Sequence, residues 1–182
     1  MTQGWNPVRL SRDCMATTVP AGQMVLLSEG GEVEVVQQLG ASITVRTEMG
    51  SLLRLDGDDA DALGIELALD DRGLDPEAPF EMKYVYDALS SVYDPEIPVD
   101  IVELGLVYRC EETVGLLDTR RIEIDMSMTA PGCGMGDVLR DDAARAVMAV
   151  PGVDDVEVNI VWDPPWTIDR MSDAARLQLG ML

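Results

Sequence analysis

Two different hydrophobic patterns divide this 182-residue sequence, and together they restrict it to a fold with two dissimilar parts. In the first half, apolar residues repeat with a period of two in short runs between glycine-containing turns, which is typical of β-strands. In the second half, such runs alternate with the wider apolar spacing of amphipathic helices. A charged stretch with proline and glycine, residues 70–79, separates the two patterns. We therefore predict two domains, at residues 1–75 and 80–182.

The first half predicts a small all-β domain, either a meander or a barrel. The period-two runs indicate strands around residues 33–35, 43–45 and 53–55, and residues 24–27 are predicted to lead them as the first strand of a four-stranded meander. An acidic start and a glycine stop predict one helical turn over residues 58–64. Cys14 precedes these runs in a segment that reads as irregular, so we expect a free thiol without a role there.

The second half predicts a two-layer α+β domain in the order α-β-β-α-β. Apolar residues with helical spacing indicate helices over residues 81–93 and 136–150. Alternation indicates strands over residues 106–110, 122–128 and 156–162, the second being the cleanest amphipathic strand of the chain. Ser172 is placed to cap a short last helix that ends before Gly180.

Composition removes several classes of function. The formal net charge of −21 disfavours nucleic-acid binding, because such a surface repels phosphates. The sequence contains neither an 18-residue apolar run nor a signal-peptide pattern, so we expect a soluble, cytoplasmic protein without a membrane role. It contains no histidine, which excludes histidine-ligated zinc as well as Ser-His and Cys-His catalysis.

Cys133 is the candidate for chemistry among the three cysteines. It lies between a predicted strand and a predicted helix, in a loop that also contains Pro131, Gly132 and Gly134. The free N–H groups and the dipole of a helix N-terminus favour a thiolate, which binds soft metals or attacks sulfur. The alternative is a small buried hydrophobe in a tight turn. Core packing is the expectation for Cys110 and for three methionines, Met126, Met128 and Met135.

An acidic stretch, residues 94–105, carries two prolines and four carboxylates: Asp94, Glu96, Asp100 and Glu103. They are candidates for hard oxygen ligands or for attraction of a cationic partner. The alternative is that Asp94 accepts hydrogen bonds from nearby backbone N–H groups and shapes the turn. We expect Asp100 and Glu103 to be solvated.

Three ordered motifs resemble the signatures of the iron–sulfur cluster assembly domain family. They are Asp94-Pro95-Glu96-Ile97-Pro98 with its continuation to Tyr108, then Met128-Thr129-Ala130-Pro131-Gly132-Cys133, and finally Trp162-Asp163-Pro164-Pro165-Trp166 with Met171-Ser172. The resemblance spans roughly residues 81–182, and the first half is similar to the N-terminal extension of the SufT branch. Gly134 departs from the pattern, since many relatives carry proline after the cysteine.

The resemblance implies a non-catalytic factor that delivers or inserts iron–sulfur clusters, or iron, into client proteins. It makes Cys133 the cluster-linked or metal-linked residue, with Thr129, Pro131, Gly132 and Gly134 as its supporting loop. A cluster takes about four ligands, so one cysteine per chain requires a transient cluster bridged in a homodimer or shared with a donor or client.

Two other functions remain open from the sequence. In one, the protein is a metal-free adaptor that binds clients and assembly scaffolds through the acidic stretch and through Pro164, Pro165 and Trp166, which we expect to be exposed, since tryptophan is a frequent interface anchor. In the other, Cys133 is the nucleophile of a sulfur transferase. That alternative lacks a histidine base and a second cysteine at CxxC spacing.

Overall fold

The computed structural model describes residues 5–66, 79–130, 132 and 134–181. The chain divides into two compact units, residues 1–71 and 72–182. Most of the boundary stretch suggested by the sequence, residues 70–79, lies outside the described residues. None of the helices in the described ranges has the length and hydropathy that crossing a bilayer requires.

The first unit is one antiparallel sheet of six strands. In chain order they are β1 (Val8–Arg9), β2 (Cys14–Val19), β3 (Met24–Leu27), β4 (Glu32–Leu39), β5 (Ser42–Thr47) and β6 (Leu52–Asp56). The spatial order is β1-β4-β5-β6-β2-β3. The apolar residues of one face form the core, among them Val33, Ile43, Val45, Leu53 and Leu55.

The sheet corrects two predictions. Strand β3 does not lead a meander into β4; it pairs with β2 at the edge of the sheet, while β4, β5 and β6 form the meander. Cys14 does not lie in an irregular segment, because it begins β2 and is buried. The predicted helical turn is confirmed as a 3-10 helix, Gly57–Leu63, that Asp56 caps and Gly64 ends in the left-handed conformation.

The second unit has the predicted order of elements. They are α1 (Met82–Leu89), β7 (Val107–Val114), β8 (Arg120–Met126), α2 (Gly136–Met148), β9 (Asp155–Ile160) and α3 (Asp173–Gln178). The sheet order is β7-β8-β9, with β7 antiparallel and β9 parallel to β8. A parallel pair requires a crossover, which here contains α2.

Alternation in β8 separates the two faces of this sheet. Ile122, Ile124 and Met126 are fully buried and share one core with the apolar faces of α1 and α2. The residues between them lie on the other face, where Asp125 accepts a hydrogen bond from Arg109 Nε at 2.7 Å. Hydrophobic burial on one face and ion pairs on the other thus hold the central strand.

Helix α1 is shorter than predicted. It ends at Leu89 rather than at Tyr93, because the chain turns there and residues 92–101 close on themselves. The N–H of Ile101 donates to the Val92 carbonyl at 2.9 Å, and Tyr93 forms a β-bridge with Asp100. Val92 remains buried, so the apolar spacing marked the core correctly although the helix does not reach it.

Substitution of Gly105 should destabilise the second unit strongly. Its φ is +68°, and a Cβ would lie 2.1 Å from the Arg170 carbonyl oxygen. We expect Gly105→Ala to cost about 3 kcal/mol or more of unfolding free energy. Gly180→Ala is the control, since φ is +71° and nothing lies within 4 Å of the new methyl group; it should cost about 1 kcal/mol.

Urea unfolding followed by tryptophan fluorescence measures both changes. A Trp5→Phe background restricts the signal to Trp162 and Trp166 of the second unit. Equal losses in the two variants would show that the left-handed conformation alone matters and that the approach to Arg170 does not.

Candidate functional site

Asp94 shapes the beginning of the acidic stretch. Its side chain is buried, and its Oδ1 atom accepts hydrogen bonds from the N–H groups of Glu96 and Ile97 at 2.8 and 2.9 Å. This is the turn-forming arrangement that the sequence offered as the alternative to a ligand role, and it is confirmed.

Asp100 repeats the same arrangement, which contradicts its predicted solvation. Its Oδ1 accepts from the N–H groups of Val102 and Glu103, each at 3.0 Å. Glu103 is not simply solvated either, because its carboxylate accepts a hydrogen bond from the Ser172 hydroxyl. Only Glu96 of the four carboxylates is exposed. The Oδ1 atoms of Asp94 and Asp100 thus stabilise the local backbone. The described ranges contain no group of three or more Cys, Asp or Glu side chains suited to a metal.

Burial changes the acidity of both aspartates. It raises the pKa of Asp94 above the ordinary value, and the two backbone hydrogen bonds oppose that rise. Burial also raises the pKa of Asp100, and the hydrogen bonds from the Glu103 and Val102 N–H groups oppose that rise. In each case the loss of hydration outweighs the stabilisation of the charged form.

The C-terminal motif packs against the acidic stretch. The indole N–H of Trp166 donates to the Leu104 carbonyl at 2.8 Å, and the Ser172 N–H donates to the Glu103 carbonyl at 2.9 Å. Trp166 is therefore half-buried, which corrects the expectation of an exposed tryptophan. Pro164 and Pro165 are exposed, and Trp162 is the exposed tryptophan of this motif at 48%.

All three motifs meet at the carboxyl end of β8. The N–H of Ser127, the residue after β8, donates to the Leu106 carbonyl at the end of the first motif. On the other side, the N–H of Val161 donates to the Met126 carbonyl, which places the third motif beside the start of the second. Both bonds measure 2.8 Å. Register between neighbouring strands thus assembles segments that are far apart in the sequence.

The cysteine loop, residues 129–135, leaves and re-enters the core between fixed points. Met128 and Met135 are buried, as predicted, and a Cβ on Gly136 would lie 3.6 Å from the Met128 Cγ atom. Thr129 is half-buried; Gly132, with φ +78°, and Gly134 are exposed. Cys133 and Pro131 lie outside the described residues.

The sequence did not point to one residue that lies just before this loop. Ser127 is fully buried, and its hydroxyl has no hydrogen-bond partner in the part of the chain that the structure describes. A buried hydroxyl without a partner costs about 1–3 kcal/mol. A polar residue after an amphipathic strand gives no sequence signal that would distinguish it from a solvated serine.

A groove of about 420 Å³ adjoins the helix that follows the loop. The first turns of α2 and the end of β9 line it, through Gly136, Asp137, Arg140, Val158, Asn159, Ile160 and Trp162. Met135, the N-cap residue of α2, makes no side-chain cap hydrogen bond, so the positive end of the helix dipole lies close to position 133 in the sequence. The apolar alternation that predicted a strand over residues 156–162 points to one wall of this groove, although β9 itself ends at Ile160. The sequence gives no sign that Arg140 lines the groove.

The other two thiols are poor candidates for chemistry. Burial raises the pKa of Cys14 above the ordinary value, and burial followed by the charge of Glu111 raises the pKa of Cys110 to about 11. Both therefore stay protonated at neutral pH, and a protonated thiol is neither a nucleophile nor a good metal ligand.

Comparison with known proteins places these motifs in a family. Residues 83–160 match the family described as iron-sulfur cluster assembly protein. The Staphylococcus aureus "Fe-S protein maturation auxiliary factor SufT" is 44% identical over 90 residues, which cover 50% of this chain and 98% of that protein. The Bacillus subtilis "Fe-S protein maturation auxiliary factor YitW" is 42% identical over 97 residues, 53% of this chain and 91% of that protein.

A more distant relative carries a different description. The Deinococcus radiodurans "Iron-sulfur cluster carrier protein" is 35% identical over 71 residues, which cover 39% of this chain and only 19% of that protein. The chain belongs to the iron–sulfur cluster assembly protein family, as its motifs predicted. Within that family it is of the SufT type. The family match falls in the second unit; the likeness of the first half to an N-terminal extension stays a prediction.

Replacement of Asp94 should separate its hydrogen bonds from its charge. Asp94→Asn keeps an Oδ1 acceptor, whereas Asp94→Ala removes both hydrogen bonds and should cost about 1–3 kcal/mol. Because the folded state raises the pKa of Asp94, the aspartate contributes most stability below its unfolded pKa, about 4, and loses it as pH rises through the folded pKa.

Unfolding free energies measured from acid to neutral pH test this sign. The stability of the Asn variant should improve relative to the parent as pH rises from about 4 to 7. A difference in unfolding free energy between Asp94→Asn and the parent that stays constant across that pH range would contradict the raised pKa of Asp94. A destabilisation by Asp94→Asn as large as that by Asp94→Ala would contradict the role of the Oδ1 acceptor.

Proposed function

We propose that this protein is a non-catalytic maturation factor that carries an iron–sulfur cluster or iron, or helps to insert it into client proteins, through Cys133. One observation supports this most: hydrogen bonds at the carboxyl end of β8 bring the three motifs together just before the loop that contains Cys133 begins in the chain. The names of the similar maturation factors support the same role.

The surroundings of the loop suit a thiolate that binds a soft metal. The dipole at the start of α2 stabilises negative charge, and three glycines, Gly132, Gly134 and Gly136, lie within three residues of the cysteine in the sequence. Asp94 and Asp100 are occupied with backbone N–H groups and Glu103 with the Ser172 hydroxyl, so these three carboxylates serve as scaffold rather than as ligands. Sulfur from Cys133 is then the ligand that this chain offers.

The cluster is cargo that more than one protein must hold. A cluster takes about four ligands, and Cys14 and Cys110 are disfavoured as thiolates by burial. The remaining ligands come from a second copy of this chain, from a donor scaffold or from the client. A site with a single ligand per chain releases its cluster readily, which is the property that a carrier requires.

Anaerobic reconstitution with iron and sulfide tests the role of Cys133. The parent should bind both, and Cys133→Ala should bind less than about a tenth as much. Cys110→Ala is the matched control and should retain the parent level, because its thiol stays protonated. Unchanged iron and sulfide in Cys133→Ala would overturn the carrier role. A stoichiometric persulfide on Cys133 after exposure to a sulfur donor would instead favour a sulfur transferase.

The groove beside the loop supports a second candidate function, that of an adaptor that binds clients and assembly scaffolds. Trp162 is exposed on one wall, and Pro164 and Pro165 extend that exposed surface. Tryptophan and apolar strand residues beside a polar rim are typical of protein-binding surfaces. In this function, Trp162 rather than Trp166 is the aromatic anchor.

Substitution in the groove distinguishes the two functions. Capture of a purified apoprotein whose mature form holds a [4Fe–4S] cluster should weaken about tenfold in Trp162→Ala. Leu117→Ala is the control, since Leu117 is equally apolar, is 98% exposed and lies outside the groove. Cys133→Ser should capture the client but fail to mature it if the protein is a carrier. Unchanged capture together with unchanged maturation in that variant would favour the metal-free adaptor.

A further inference from the structure

Strand β3 is an exposed and apolar edge of the first sheet. It pairs with β2 on one side and ends the strand order on the other. Its outward side chains are Met24 and Leu26, which are 70% and 60% exposed. Met15 of β2 lies directly opposite Leu26 and is also exposed. We call these three residues, Met15, Met24 and Leu26, the β3 edge patch.

The β3 edge contains no charged residue, although the chain as a whole is rich in charged residues. Residues 14–28 contain no Asp, Glu, Lys or Arg, although 26% of the whole sequence is charged. Soluble proteins normally protect an edge strand with charges or proline, because its free backbone groups are a template for another strand. Strand β3, Met-Val-Leu-Leu, has neither protection.

The other sheet edges in the described ranges show the usual protection. Strand β1 contains Arg9, β7 contains Arg109, Glu111 and Glu112, and β9 contains Asp155 and Glu157. The four edges share one chain and one net charge, so the composition of the chain does not account for the difference. The missing charge at β3 is a local property, and an edge without charge is suited to pairing.

We propose that β3 pairs with β3 of a second copy of this chain and that the β3 edge patch is a homodimer interface. Charge is the reason for choosing this occupant. Each copy has a net charge of −21, so two copies repel each other wherever their carboxylates face. The uncharged edge is the surface where they approach without bringing carboxylates together.

Geometry also favours a copy of the same strand. Two identical edge strands related by a two-fold axis pair antiparallel, and each residue contact then occurs twice. With the axis at Val25, Met24 of one copy lies opposite Leu26 of the other, so that both outward apolar side chains gain an apolar cross-strand neighbour. The free backbone groups of the two edges become paired in the same step.

This interface stands on the sheet edge alone and does not depend on the proposed function. It has a consequence for that function, because a dimer carries two cysteine loops per particle. It also predicts an effect of salt: screening weakens the repulsion between the acidic copies, so dimerisation should strengthen as ionic strength increases.

Sedimentation of the full-length apoprotein as a function of concentration tests the proposal. The parent should form a dimer, and Leu26→Glu and Leu26→Lys should each raise its dissociation constant at least about tenfold, because each places a charge opposite the apolar Met24 of the other copy. Lysine makes the chain less negative and so reduces the overall repulsion between copies. Weaker association of the Leu26→Lys variant would therefore show that the β3 edge, and not the net charge, controls dimerisation. Met49→Glu is the control; Met49 is 89% exposed outside the patch, and the dissociation constant should not change.

Several outcomes would overturn the interface. A parent that is monomeric at every concentration contradicts it, even if the protein binds another partner through the same patch. So does a dimer that persists unchanged in both Leu26 variants, or one that Cys133→Ala abolishes in the metal-free state. Circular dichroism checks that the variants are folded, and Met24→Glu replaces either Leu26 variant that is not.

Discussion

The second unit depends on a backbone contact that leaves no room for a side chain. Gly105 ends the acidic stretch with its Cα against the Arg170 carbonyl, and Glu103 and Ser172 join the same two segments through backbone and side-chain hydrogen bonds. This contact fixes where β7 begins and where the C-terminal segment runs. Strand β7 in turn pairs with β8, the strand that precedes the cysteine loop in the chain.

Much of the second unit could be predicted from the sequence because its patterns are long and regular. Ile122, Ile124 and Met126 mark a half-buried strand, and the α-β-β-α-β order follows from such runs. What could not be predicted depends on tertiary contacts. Asp100 looks solvated in the sequence, and only the folding of residues 92–101 onto themselves shows which N–H groups it accepts from. Strand β2 was missed because its Thr-Thr-Val end carries no alternation; it becomes a strand by pairing with β3 and β6.

The abundant carboxylates of this chain have different roles in different places. Asp94 and Asp100 organise a turn from inside the protein, where losing water raises their pKa. On the open face of the second sheet, acidic side chains are paired with Arg109 and Arg121 across strands. On the first sheet, charge is absent from one edge only. The net charge therefore describes the chain poorly, since each local arrangement uses, neutralises or avoids negative charge in its own way.

The burial of Met128 and Met135 has a further consequence. Both side chains are held in the interior, so the chain between them, residues 129–134, leaves one fixed point and returns to another. Substitutions at Ala130, Gly132 and Gly134, which are exposed, remove no buried side chain. Under the proposed function, loops transplanted between relatives at these two anchor points should alter the cargo chemistry while leaving the scaffold intact.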